Sequence, residues 1–324
     1  MTPHNRPVTA VAEAPSQPVK EHVTIVEVGP RDGLQNERVR IPTLTKVRFI
    51  ESLADAGLQR IEVSSFVHPE SVPQLADAEA VFAELRPRDG VRYSALVPNR
   101  QGLHRALAAN VREIAVFTAA TDTFVRRNIR SSLAESLAHY QPIVAEAVGS
   151  GMRVRGYVST VFGCPYEGKV QPEQGIAVAE SLLAMGVEEV SIGDTIGVAT
   201  PGDVTRWLKA ASGRLPFERL ALHFHDTRGT ALANVLIGLE YGIRTFDATS
   251  GGLGGCPFAP GASGNLATED LLYTLDGLGF ETGVDLEGVM RASQKIANCL
   301  DHLLPSRYFQ AARVTSCLPG DVVL

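Results

Sequence analysis

Short β-branched runs alternate with amphipathic stretches along nearly the whole chain. The runs are Val23–Val28, Arg60–Val63, Val91–Leu96, Glu113–Phe117, Arg153–Ser159, Glu188–Ile192, Leu220–His225 and Arg244–Ala248. Each has the length of a buried strand. The intervening stretches carry helical spacing: in Thr43–Ala56, Val47, Ile50 and Ala54 fall at i, i+3 and i+7, and Gly57 follows as a stop. Gly186 and Gly242 take the same place before the sixth and eighth runs. Eight strands alternating with helices predict a (β/α)₈ TIM barrel of the α/β class. An open doubly wound sheet is the alternative, but no glycine-rich phosphate fingerprint follows the first run. From about residue 283, Val289, Ile296 and Leu300 mark extra C-terminal helices, placed to cap the barrel or to serve a subunit contact. The expected organisation is a disordered tail over 1–21, a catalytic barrel over 22–280, and a helical extension with a mobile tail over 281–324.

The unusual residues cluster just after strands. Gly29-Pro30-Arg31-Asp32-Gly33 follows the first run and Ser64-Ser65-Phe66 the second. Gly163-Cys164-Pro165 follows the fifth, Gly193-Asp194-Thr195 the sixth, and His223-Phe224-His225-Asp226 closes the seventh. After the eighth comes Thr249–Pro257, glycine-rich and containing Cys256. In a (β/α)₈ barrel these strand ends form one face, the face that carries active sites.

His223 and His225 stand two apart on a strand, so both imidazoles project to one side. With a carboxylate such as Asp32 they suit a divalent ion. The pair alone reads more readily as a hydrogen-bonded core histidine beside an exposed one; Asp32 at another strand end and the glycine run opposite turn the reading toward a metal. Arg31 is either half of a loop ion pair or a fork for a carboxylate or developing enolate. Cys256, flanked by the glycines that let backbone approach a ligand, is a candidate accessible thiol. Cys164 and Cys299 read as packing residues.

Composition narrows the classes. The chain has 324 residues, 44% hydrophobic and 20% charged, enough for a large core. A formal charge of −6 without a basic block excludes a phosphate-backbone footprint, so no nucleic-acid partner is expected. No apolar run reaches the length of a membrane span, and the first residues lack the apolar stretch of a signal peptide. Four scattered cysteines point to reduced thiols and a cytoplasmic setting.

Five segments together resemble the 3-hydroxy-3-methylglutaryl-CoA lyase family: VEVGPRDGLQNE (26–37), GCPYEGKV (163–170), GDT (193–195), LHFHDTRG (222–229) and GLGGCPFAPGASGNLATEDL (252–271). The resemblance runs from about 22 to 300 in chain order. It implies metal-dependent cleavage of 3-hydroxy-3-methylglutaryl-CoA to acetyl-CoA and acetoacetate, with Mg²⁺ or Mn²⁺ as the cofactor and a homodimer as the assembly. Position by position, it implies Asp32, His223, His225 and Asn265 as metal ligands. Arg31 becomes the contact to the thioester carbonyl, Cys256 the catalytic cysteine, and Glu62 and Asp194 supporting acids. His223 or Asp32 would take the substrate's hydroxyl proton, and Tyr157, Gly254 and Gly255 would line the acyl-CoA pocket. The sequence departs from the family at Glu70, where many members carry a lysine. That leaves open a lyase acting on another 3-hydroxy-3-alkylglutaryl-CoA or on a citramalyl-CoA; a condensing acyltransferase is the more distant alternative. Some members also carry a redox-sensitive C-terminal cysteine; Cys317 stands at such a place but reads more readily as an incidental thiol.

Overall fold

The computed structural model describes residues 21–254 and 264–315. Eight parallel strands close into a barrel in chain order, each hydrogen-bonded to its sequence neighbours and the first to the last. They are β1 (Thr24–Glu27), β2 (Arg60–Ser65), β3 (Arg92–Leu96), β4 (Glu113–Ala119), β5 (Arg153–Ser159), β6 (Glu189–Asp194), β7 (Leu220–Phe224) and β8 (Thr245–Ala248). All eight predicted runs are strands, with ends that agree to within two residues. The helices between them are α1 (Thr43–Asp55), α2 (Ala78–Glu84), α3 (Arg100–Ala108), α4 (Asp122–Ile129), α5 (Leu133–Gly149), α6 (Pro172–Ala184), α7 (Pro201–Ala211) and α8 (Ala231–Glu240). Gly57, Gly186 and Gly242 all have positive φ, which supplies the turn out of α1, α6 and α8 at no steric cost.

Strand alternation sorts the chemistry. Ile61 and Val63 of β2, Val154 and Val158 of β5, and Leu222 and Phe224 of β7 belong to the apolar core under the helices. The opposite set, Arg60 and Glu62, Arg155 and Tyr157, His223 and Asp247, meets inside the barrel. Arg60 on β2 reaches Glu189 on β6 with two bonds of 2.9 Å. These strands are not neighbours, so the contact crosses the barrel interior. A barrel interior is usually packed with branched apolar side chains; here charged residues replace much of that filling, each paired with a partner as burial demands.

After β8 come α9 (Thr268–Gly277), α10 (Leu286–Ala297) and α11 (Arg307–Thr315). The predicted extra helices are present. α10 lies against α1: Asp285 N–H donates to Ala56 O at 2.7 Å, and Val289 and Ile296 are fully buried. It therefore adds to the outer ring instead of capping the barrel. Leu300, expected on a helix, lies past its end and packs against the core. Asp270 anchors the start of α11 by accepting from Ser306 Oγ at 2.7 Å and Tyr308 N–H at 2.9 Å. Residues 1–20, to which the tail reading chiefly applies, and Cys317 lie outside the described residues.

Candidate metal and acyl-CoA site

The first loop is a single tight turn, Gly29–Gly33, in which the amides of Arg31, Asp32 and Gly33 all return to the Val28 carbonyl. That turn sets Arg31 and Asp32 side by side, Nη1 2.5 Å from Oδ1. Arg31 Nε donates to Glu62 Oε1, and Tyr157 Oη donates to Glu62 Oε2 at 2.8 Å. The Arg31 guanidinium also lies over the Tyr157 ring, 5.3 Å from its centre. One arginine thus bridges two carboxylates and is fixed by both.

From β7, His223 and His225 project into the same mouth with ring centres 5.3 Å apart. Donor atoms of Asp32, His223 and His225 all lie within 4.8 Å of one another. Residues 264–268 are laid over the ends of β7 and β8: Leu266 N–H donates to Phe224 O at 3.0 Å and Thr268 N–H to Thr249 O at 2.9 Å. Asn265 is thereby set beside His225, and its Nδ2 donates to Asp32 Oδ2 at 2.9 Å and to Leu253 O at 3.2 Å. Its Oδ1 is left as the amide atom able to bind a cation.

The electrostatics fit a cation. Burial pulls His225 down to about 4, with His223 adding to the effect, so its imidazole is neutral near pH 7. Its Nδ1 is buried with no hydrogen-bond partner among the described residues, which is costly unless another group supplies one. Burial raises Asp32, but Arg31 and the two histidines outweigh it and hold the carboxyl below its ordinary range. A neutral imidazole, a carboxylate kept ionised and an amide oxygen form a donor set for a divalent ion.

The profile of the HMGL-like family matches residues 22–296. The chain belongs to the HMGL-like family. A relative in Rattus norvegicus, named a cytoplasmic 3-hydroxy-3-methylglutaryl-CoA lyase, is 49% identical over 292 residues, covering 90% of this chain and 85% of its own. A Pseudomonas aeruginosa relative, named 3-hydroxy-3-isohexenylglutaryl-CoA/hydroxy-methylglutaryl-CoA lyase, is 50% identical over 289 residues, covering 89% and 96%. The crystal structure of hydroxymethylglutaryl-CoA lyase from Pseudomonas aeruginosa superposes with a TM-score of 0.90 at 49% identity, covering 91% of this chain and 99% of that one.

In this HMGL-like chain the predicted residues divide into three groups. Arg31, Asp32, Glu62, Tyr157, His223, His225 and Asn265 come together in one connected cluster. Gly254 stands against it: at φ +98° its Cα faces Asn265, and a Cβ there would come 2.8 Å from Asn265 Nδ2. Asp194 feels the His223 charge but makes its hydrogen bonds to a loop. Its parity on β6 is that of core residues Val190 and Ile192, and its carboxylate accepts the Val198 and Ala199 amides at 3.0 Å each, holding the loop before α7. Burial raises it to about 6. Glu70 is exposed on the loop after β2. Gly255 and Cys256 lie outside the described residues. Cys164 is buried and accepts the Thr121 hydroxyl at 3.2 Å, as a packing residue should. Arg155, Ser191 and Asp247 escaped sequence reasoning, although a charged residue inside a β-branched run was the available signal.

Proposed function

We propose that this chain cleaves 3-hydroxy-3-methylglutaryl-CoA to acetyl-CoA and acetoacetate at the mouth of the barrel. The observation that carries the reading is the convergence of Asp32, His223 and His225 donors within 4.8 Å, next to an arginine fixed by two carboxylates. A divalent ion, Mg²⁺ or Mn²⁺, held by Asp32, His223, His225 and Asn265 would supply positive charge to the substrate's tertiary hydroxyl and carbonyl oxygens, lowering the hydroxyl pKa.

The chain's own residues account for the rest. Of the two bases considered, Asp32 receives bonds from Arg31, Gln35 and Asn265, and His223 meets Asp247 through Nδ1. The one lone pair of His223, on Nε2, is the one that would be offered to the ion, so the Asp32 carboxylate, with two oxygens, is left as the acceptor for the hydroxyl proton. As the carbinol carbon becomes a ketone, the electron pair of the broken carbon–carbon bond passes to the carbon beside the thioester. The resulting enolate oxygen is a target for the Arg31 guanidinium, which is held in place before charge develops. Cys256, on the sequence resemblance, returns a proton to the enolate carbon. Two carboxylates raise the already high Arg31 pKa despite burial, so Arg31 acts as a fixed charge and not as an acid.

An assay for acetoacetate release tests this directly: activity is lost with EDTA and restored by Mg²⁺ or Mn²⁺. No release under either metal defeats the substrate reading; release indifferent to EDTA defeats the metal. A second reading, a larger 3-alkyl group, is favoured by the isohexenylglutaryl name of the Pseudomonas relative and by the acidic Glu70; relative kcat/KM on the two thioesters distinguishes them. A homodimer and a cytoplasmic setting belong to the same proposal. The rat relative's name supports the setting, and light scattering measures the subunit number.

A further inference from the structure

A chain of ion pairs starts at the partly exposed Arg92, climbs the buried barrel interior and ends on a site histidine. Arg92 contacts Glu113 at 3.3 Å, Arg60 joins Glu113 at 3.6 Å to Glu189 at 2.9 Å, and Arg155 Nε donates to Glu189 at 2.7 Å. Arg155 then forks onto both oxygens of Asp247, at 2.6 and 3.1 Å. Ser191 Oγ donates to Asp247 Oδ2 at 2.8 Å, and the same oxygen lies 3.2 Å from His223 Nδ1. Asp247 is 1% exposed and faces a guanidinium, a hydroxyl and an imidazole.

An ionised carboxylate accepts hydrogen bonds and donates none. The hydrogen between Asp247 and His223 must therefore sit on Nδ1. A neutral imidazole carries a single N–H, so Nε2 is left with its lone pair. Tyr157 stands edge-on to the ring at 85°, its centre 6.3 Å away, and limits rotation. We infer that Asp247, gripped by Arg155 and Ser191, is a positioning residue that fixes His223 as the Nδ1–H tautomer and presents Nε2 to the cation site. Arg155 is the joint of the arrangement. Its Nη1 also donates to Tyr157 Oη at 2.8 Å, and Tyr157 donates to the Glu62 that holds Arg31. The histidine side and the arginine side of the site thus hang from one buried guanidinium.

The inference rests on the metal reading of the site, but its decisive measurement needs no metal. Nitrogen-15 NMR of the metal-free full chain at about pH 9, where imidazoles are neutral, reports which ring nitrogen carries hydrogen; a His223→Gln spectrum assigns the signal. An Nδ1–H pattern is expected. An Nε2–H pattern overturns the inference, whether or not the protein binds metal. In Asp247→Asn the amide can turn its NH₂ toward Nδ1 and favour the other tautomer, as for the comparable substitution in serine proteases. Mn²⁺ affinity, followed by electron paramagnetic resonance, is then expected to fall about 10–100-fold, with the tautomer signal shifted in the same variant. A folded Asp247→Asn protein with wild-type affinity and tautomer also overturns the inference. If that variant does not fold, the wild-type spectrum decides alone. A wild-type chain that binds no Mn²⁺ yet shows Nδ1–H refutes the metal reading and leaves the tautomer assignment standing.

Discussion

Asn265 and Asp32 lie 233 residues apart in the chain and 2.9 Å apart in space, Nδ2 to Oδ2. The same amide also holds the Leu253 carbonyl at 3.2 Å. Asn265 is thus both a candidate ligand through Oδ1 and the clip that aims Asp32. Asn265→Ala removes both functions with little volume change at the mouth. Mn²⁺ affinity is expected to weaken about 10–100-fold, with lyase activity partly recovered at high Mn²⁺. Unchanged affinity in equilibrium dialysis would show that Asp32 needs no such clip.

The clip has no room behind it. Gly254 has φ +98°, and a Cβ there would come 2.8 Å from Asn265 Nδ2 and 3.3 Å from Gly33 Cα. Gly254→Ala is expected to cost about 1–3 kcal/mol from backbone strain alone, visible as a Tm lower by a few degrees. It should also displace Asn265 and so reduce metal affinity. A variant with native Tm and affinity would show that the loop shifts freely.

The barrel itself was legible because strand and helix periods differ and because the punctuating glycines sit where positive φ is needed. Asp32, His223 and His225 were legible because strand ends gather on one face. Asp194 was not. Its motif suggested a place in the site, but its strand parity is that of the core side, and its carboxylate is consumed by two loop amides. Arg155 and Asp247 were invisible for the converse reason. Inside a parallel barrel, a buried charged residue in a strand is satisfied by side chains of other strands, and sequence alone does not say which partner waits there.

Arg31 contacts two different carboxylates through different nitrogens, Nε to Glu62 and Nη1 to Asp32. A lysine has one nitrogen and no fork. Arg31→Lys and Arg31→Gln are therefore both expected to lower kcat about 10²–10³-fold, the usual scale for losing a fixed donor to a developing oxyanion. Steady-state kinetics at saturating metal provide the check; a lysine variant within a few-fold of wild type would mean that charge alone suffices.

Metal affinity should depend on pH through one histidine and not the other. Burial pulls His223 down, but the bond and charge of Asp247, together with Asp32, outweigh it and hold its pKa above the ordinary value. His225 stays neutral to about 4. A protonated imidazole cannot ligate. Mn²⁺ affinity is therefore expected to fall as pH drops through the raised His223 range, while His225 makes no contribution until far more acid pH. Affinity flat from neutral pH down to 5 would contradict the assignment of His223 as a ligand.

Behind the site, two acids share a buried pocket without a cation among the described residues. Glu27 accepts the Gly29 and Ser250 amides at 2.8 and 2.9 Å and the Thr268 hydroxyl at 2.7 Å. Glu269 accepts the Gly251 amide at 2.7 Å and the Ser293 hydroxyl. Burial raises Glu269 to about 7, with the Glu27 charge adding to it. Its folded pKa therefore exceeds the ordinary 4.5 of the unfolded chain. The folded state binds the extra proton, so this stability is complete below about 4.5 and is lost as pH rises toward and through 7. The span corresponds to on the order of 3 kcal/mol. Glu269→Gln is a neutral mimic that still accepts from Gly251 and can donate to Ser293. Its stability relative to wild type should therefore rise by up to that amount between pH 5 and pH 8. Urea denaturation of both proteins at the two pH values measures the difference, and parallel curves would show that Glu269 keeps an ordinary pKa in the fold.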